Sequence, residues 1–149
     1  HIVTTIVALT LASVAAPMPS HAAADERRAV LIVSAASPVM ALDVHDARLL
    51  FLGHTVRVAG RTLTPMRNLS HPQLEQAFLQ NLVAMSATGY DRYVLRLALQ
   101  QGRPRPREYT DLDTLFEVLA ADPLAVTYTW YTDLRGDPRF RVVRVIWRE

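Results

Sequence analysis

The residues of this 149-residue chain whose types and spacing point to chemistry stand directly after its apolar runs and at its helix starts. Arg67-Asn68-Leu69-Ser70-His71 follows the strand-like run Arg61 to Met66 and opens a helical pattern. It therefore brings backbone amides, a hydroxyl and a guanidinium to the carboxyl end of an expected strand, where open α/β sheets bind ligands. A helix start presents unpaired N–H groups and about half a positive charge, which suits an oxyanion. Ser37-Pro38 takes the corresponding place after the first apolar run. Arg103-Pro104-Arg105-Pro106-Arg107 sets three cations in a segment whose prolines forbid helix, so that Arg103 or Arg105 can lean over a cleft and meet an anion. Ser37, Arg67, Ser70 and Arg103 are the candidate ligand-binding residues. Plain helix capping accounts for the serines equally well, and a solvated polyproline-type loop accounts for the arginines.

Other chemistries find little support. His45, His54 and His71 form neither an HxxxH nor an HExxH pair, and no carboxylate spacing suggests a metal cage, so neither metal nor cofactor is expected. Ser34, Ser37, Ser70 and Ser86 lack a GxSxG elbow, and no phosphate loop or dinucleotide fingerprint occurs. Cysteine is absent, which excludes disulfides and thiolate nucleophiles. The expectation is a non-catalytic protein, an exported hydrolase acting through an unmarked serine being the remaining enzymatic alternative. All 16 basic residues are arginine against 14 acidic residues, a formal charge of +2. That balance, with no aromatics interleaved among the arginines, argues against a nucleic-acid partner.

These groups must be positioned by one domain's worth of chain. Half of the residues are apolar and 20% charged, which excludes a disordered tail, a fibrous rod and a multi-domain assembly. Residues 1–24 read as a signal peptide: an uncharged apolar run from Ile2 to Ala16, then Ala22-Ala23-Ala24 as the cleavage site. Residues 25–149 read as a single domain working outside the cytoplasm. Ala29 to Val33 suits a buried strand, and Asp43 caps a helix that buries Ala47, Leu50 and Phe51 and stops at Gly53. Arg61 to Met66 is a second strand. Ser70 with Gln73 forms a capping box, stapled by Leu69 and Leu74, for a helix that buries Phe78 and Leu82 and runs to Met85. Ser86 or Thr88 opens the next helix, ending at Gln101-Gly102, and Thr110 with Asp113 caps a fourth. Leu124 to Tyr131 and Phe140 to Trp147 complete the strands. The order predicts an α/β domain of about four strands covered by about four helices.

In sequence these segments resemble a family of small exported proteins related to the phosphate-binding component of ABC transporters. Leu50-Phe51-Leu52-Gly53 is similar to the family's Ile-Phe-Leu-Gly, and Gly60 to Met66 to its Gly-x-x-Ile-x-Pro-Val strand. Leu82 to Ser86 is similar to its Leu-Gly-Met-Ser, and Gly102 to Pro106 to its Gly-Arg-Gly-x-Pro-Pro, over roughly residues 29–130. The resemblance implies a periplasmic-binding-protein-like fold of type II, no catalysis, and phosphate or a similar oxyanion as ligand. It implies Ser37 and Ser70 as hydroxyl donors and Arg103 as a peripheral cation; Arg67 has no counterpart in the family pattern. A membrane permease or an envelope signalling protein is the implied partner. Three positions depart from the pattern: Glu75 stands where the family has arginine, Tyr93 where it has tryptophan, and Leu124 to Tyr128 lacks two glycines. The alternative consistent with those departures is a solute-binding fold serving as an envelope interaction or sensory module without tight anion binding.

Overall fold

The apolar run Ala29 to Val33 forms the middle of strand β1 (Arg28–Ser34), and none of its five residues is more than 1% exposed. A computed structural model describes residues 27–149; the expected signal peptide, 1–24, lies outside the described residues. Continuous apolar character is what a strand covered on both faces requires. Val30 and Ile32 point into one core with Met66, Leu115 and Leu119, while Leu31 and Val33 point into a larger one with Phe51, Phe78 and Tyr128.

Helix α1 (Val44–Phe51) starts as its cap dictates, the Asp43 carboxylate accepting from the Asp46 amide at 2.8 Å. It ends before Gly53, whose φ of 95° suits glycine. The single strand expected over 61–66 is divided. Strands β2 (Arg57–Val58) and β3 (Arg61–Thr62) form a separate hairpin about Ala59-Gly60, both at positive φ as a primed two-residue turn demands. The main sheet is joined only by β4 (Thr64–Asn68). Helix α2 (Pro72–Ala77) has six residues and runs into a π-helical stretch, Phe78–Val83, rather than continuing as one α-helix to Met85. The wider turn buries Phe78, Leu79, Leu82 and Val83 together, and Ala84 closes it in the left-handed conformation.

Helix α3 (Ala87–Gln101) is capped by Ser86, which accepts from the Gly89 amide at 3.0 Å, and stops at Gly102. Strand β5 (Arg107–Tyr109) was not expected; it is a three-residue edge strand beside β4. Helix α4 (Leu112–Ala121) is capped by Asp111 and not by Thr110. The Asp111 carboxylate reaches both the amide and the hydroxyl of Thr114, at 2.9 and 2.5 Å, two bonds that Thr110 could not match. Strand β6 (Ala125–Trp130), the single turn α5 (Tyr131–Leu134) and β7 (Phe140–Arg148) complete the chain.

The sheet has five strands in the order β5-β4-β6-β1-β7, with the β2-β3 hairpin apart, where about four strands were expected. Strand β4 is parallel to β5 and β6, whereas β1 is antiparallel to both its neighbours, β6 and β7. Four strands therefore run one way and β1 alone runs the other. Ala29 lies opposite Trp130 and Val33 opposite Val126, so the carboxyl end of β1 meets the amino end of β6. No helix among the described residues is long and apolar enough to cross a membrane.

Candidate functional site

Strand β4 delivers Arg67 and Asn68 to the carboxyl end of the parallel strands, and both are buried. The Arg67 guanidinium lies over the rings of Tyr90 and Phe78, 4.7 and 5.5 Å from their centroids. Phe78 is itself fixed by stacking on Tyr128 at 4.5 Å and by edge contacts with Phe51 and Tyr90. The cation is thus held in an aromatic box, where ring quadrupoles favour it.

Its charge is taken up by carboxylates from three elements. Arg67 Nη2 donates to Glu75 of α2 at 2.6 Å, and Nη1 to Glu108 of β5 at 3.0 Å. Asp91 of α3 stands 3.9 Å from the same Nη1, and Arg105 reaches Asp91 from outside at 3.9 Å. The Arg67 side chain is 4% exposed, against 31% for Glu75, 46% for Glu108 and 58% for Asp91. The carboxylates therefore line the solvent side of the cluster with the guanidinium behind them. Among the described residues, two guanidiniums against three carboxylates leave one negative charge in excess. Burial opposes the charge on Arg67, but Tyr128, Tyr90 and Glu75 outweigh it and raise its pKa. Burial pushes the phenols of Tyr90 and Tyr128 well up, so both stay neutral. The Tyr90 hydroxyl donates to the Phe51 carbonyl at 2.6 Å.

Beside this cluster the α2 start differs from its expected form. The cap position is His71, whose side chain makes no capping bond, and the box between Ser70 and Gln73 does not form. Ser70 instead directs its hydroxyl and its amide to Asn68 Oδ1, at 2.5 and 3.0 Å. Asn68 in turn donates through Nδ2 to the Tyr128 carbonyl at 3.0 Å, tying the end of β4 to β6. The Ser70 hydroxyl is turned to donate to this wholly buried asparagine, away from the helix amides that it would have to accept from as a cap. Gln73 accepts from Arg27 at 2.9 Å, and His71 Nε2 pairs with Asp133 at 3.1 Å.

The four candidates do not converge. Arg67 and Ser70 share the carboxyl end of β4. Ser37 lies beyond the carboxyl end of β1, which the reversed direction of that strand places at the far end of the sheet, roughly 15–20 Å away along β6. There Ser37 is a turn residue: its hydroxyl accepts from the Val39 amide at 3.1 Å, and its carbonyl from Arg141 at 3.0 Å. Arg103 is exposed after α3, lining a shallow recess with Gly53, Val94 and Leu97. Arg105, the other arginine of that loop weighed for an anion, is the one that reaches the cluster, through Asp91. Glu108 and Asp91 went unrecognised in the sequence, since each comes from a different element and carries no local signal; Asn68, named within the helix start, was not read as the partner of Ser70.

Comparison with known proteins supports this architecture. No family model matches the sequence, and no curated protein matches it. Among solved structures, the chain is similar to one described as a possible phosphate binding protein from Planctomyces limnophilus. The TM-score is 0.58 at 9% identity, covering 80% of this chain and 41% of that one. It is also similar to an ABC-type phosphate transport receptor from Vibrio cholerae, with a TM-score of 0.51 at 10% identity, covering 80% of this chain and 46% of that one. The fold is therefore the periplasmic-binding-protein-like α/β fold of such receptors, and the chain spans less than half of their length.

Proposed function

We propose that this chain is a phosphate-receptor-like module of the cell envelope whose anion position is filled by its own Glu75, so that it acts by docking to a partner and not by tight solute capture. The observation that carries this reading is the 2.6 Å contact between Arg67 Nη2 and Glu75, backed by Glu108 at 3.0 Å. An arriving phosphate dianion would meet an excess of negative charge, and its gain at Arg67 would be offset by displacing carboxylates already bonded there. The Ser70 hydroxyl is likewise committed, to Asn68. A non-catalytic role fits, because the Ser37 and Ser70 hydroxyls both serve local backbone or side-chain bonds. A membrane permease or an envelope signalling protein suits such a module as partner, and the periplasm as its place.

The second reading is oxyanion capture proper, favoured by the position of Arg67 at the carboxyl end of a parallel strand in a phosphate-receptor fold. Calorimetric titration of phosphate at low salt separates the two. The docking reading expects no heat from the native protein at about 1 mM phosphate, and measurable binding once Glu75→Ala opens the guanidinium to solvent. Binding by the native protein that is lost in Arg67→Met and weakened in Ser70→Ala would establish capture instead.

A further inference from the structure

A second cleft lies between α2 with its π-helical extension and the ends of β6 and β7. It has a volume of about 280 Å³ and is lined by Gln73, Gln76, Gln80, Asn81, Trp130 and Trp147, with Arg27 and Ala77 completing it. Both tryptophans of the chain are here, in edge contact with centroids 5.9 Å apart. Gln73, Gln76 and Gln80 stand at spacings of three and four along this segment, so they line one face, and Asn81 flanks them. Trp130 is covered, 9% exposed and with the Arg27 guanidinium 5.5 Å above its ring, whereas Trp147 is half-buried at the cleft wall.

The hydrogen-bonding state of the amides is uneven. Gln73 accepts from Arg27, and Asn81 donates to the Ala77 carbonyl. Among the described residues, no protein hydrogen bond engages the amides of Gln76 and Gln80, which are exposed. Each offers a donor and an acceptor side by side, next to an indole face that is flat and electron-rich. A hydrocarbon surface laid over these amides would leave them unsatisfied, which is costly. A charged ligand finds no free partner, since the cation in the cleft, Arg27, is already stacked on Trp130 and bonded to Gln73. A pyranose ring matches both features: its axial C–H groups pack on an indole face, and its adjacent hydroxyls pair with amides.

We propose that this cleft binds an oligosaccharide of uncharged pyranose rings, one ring stacking on Trp147 while its hydroxyls bond the amides of Gln76 and Gln80. The site is independent of the Arg67 cluster and stands whichever reading of that cluster holds. Because both tryptophans line the cleft, fluorescence excited selectively at tryptophan and not at tyrosine reports on this site. The protein is titrated with cellohexaose, maltohexaose and the hexamer of N-acetylglucosamine, with calorimetry alongside. A saturable emission change with at least one of them, at a Kd of about 0.1–10 mM, is expected. The surface variant Gln76→Ala/Gln80→Ala should keep its melting temperature and lose about tenfold in affinity. Trp147→Phe, which retains a ring, should weaken binding less than Trp147→Ala. A flat response to all three sugars, affinity untouched by the double amide variant, or saturation by an apolar peptide and not by sugars overturns the proposal.

Discussion

Two arginines at opposite ends of the sheet solve the same electrostatic problem in different ways. Arg141, at the start of β7, donates to the carbonyls of Ala35, Ser37 and Val39 at 2.8, 3.0 and 2.7 Å, and so pins the loop after β1. Arg67, at the end of β4, is held by Glu75 and Glu108 instead. Carbonyl dipoles stabilise a guanidinium without cancelling its charge, so Arg141 keeps its positive charge while its loop is fixed. Carboxylates cancel the charge and, in excess, reverse it. The Arg67 end thus carries a guanidinium at a strand's carboxyl end without a net positive charge. The residue that binds the cation, more than the cation itself, decides whether such a strand end can receive a ligand.

That contrast is most severely tested by removing each guanidinium. Arg67→Ala leaves three carboxylates facing one another across a hole between two rings, and should cost about 3–5 kcal/mol of stability. Arg141→Ala frees carbonyls that water can reach, and should cost about 1.5–3 kcal/mol. Urea unfolding of the two variants checks the order, and a larger loss at Arg141 would reverse the argument. A smaller effect sharpens it: Glu75→Gln keeps the shape and removes one charge, so stability should fall by about 1–2 kcal/mol at low salt, less at high salt. Equal losses at both ionic strengths would show that shape and not charge holds the pair.

The smallest expected effect lies at the Arg141 end. Asp137 there bonds the side chain and amide of Arg139, which hold its carboxyl below the usual carboxylate range. Its folded-state pKa is depressed, so its contribution is fully present above the unfolded value and disappears as pH falls through the folded one. Carbon-detected NMR titration should place the Asp137 transition below that of an ordinary aspartate and return it upward in Arg139→Ala. An unmoved midpoint in that variant would remove the pair from the account.

Much of this architecture was legible where the signals are local. The Asp43 and Ser86 caps, the apolar β1 run and the aromatic β6 run each carry their instruction within a few residues. The direction of β1 was not legible, because a buried strand reads alike both ways and its sense is set by partners near the other end of the chain. That single fact separates Ser37 from Ser70. The π-helical stretch and the three-residue β5 were hidden for a related reason, since both arise from packing and not from propensity. At the site, Arg67 and the opposing charge of Glu75 could be read from neighbouring positions. Glu108 and Asp91 become partners only once β5 and α3 close over β4.

The reversed strand has a kinetic corollary. Both neighbours of β1 lie far along the described chain, with Ala29 meeting Trp130 on one side and Trp147 on the other. The elements from α1 to α4 must be looped out before the central ladder can zip, a high-contact-order arrangement that slows folding. A nascent chain lacking β7 would leave one edge of β1 bare, so commitment to the native state is deferred until β7 has been translated.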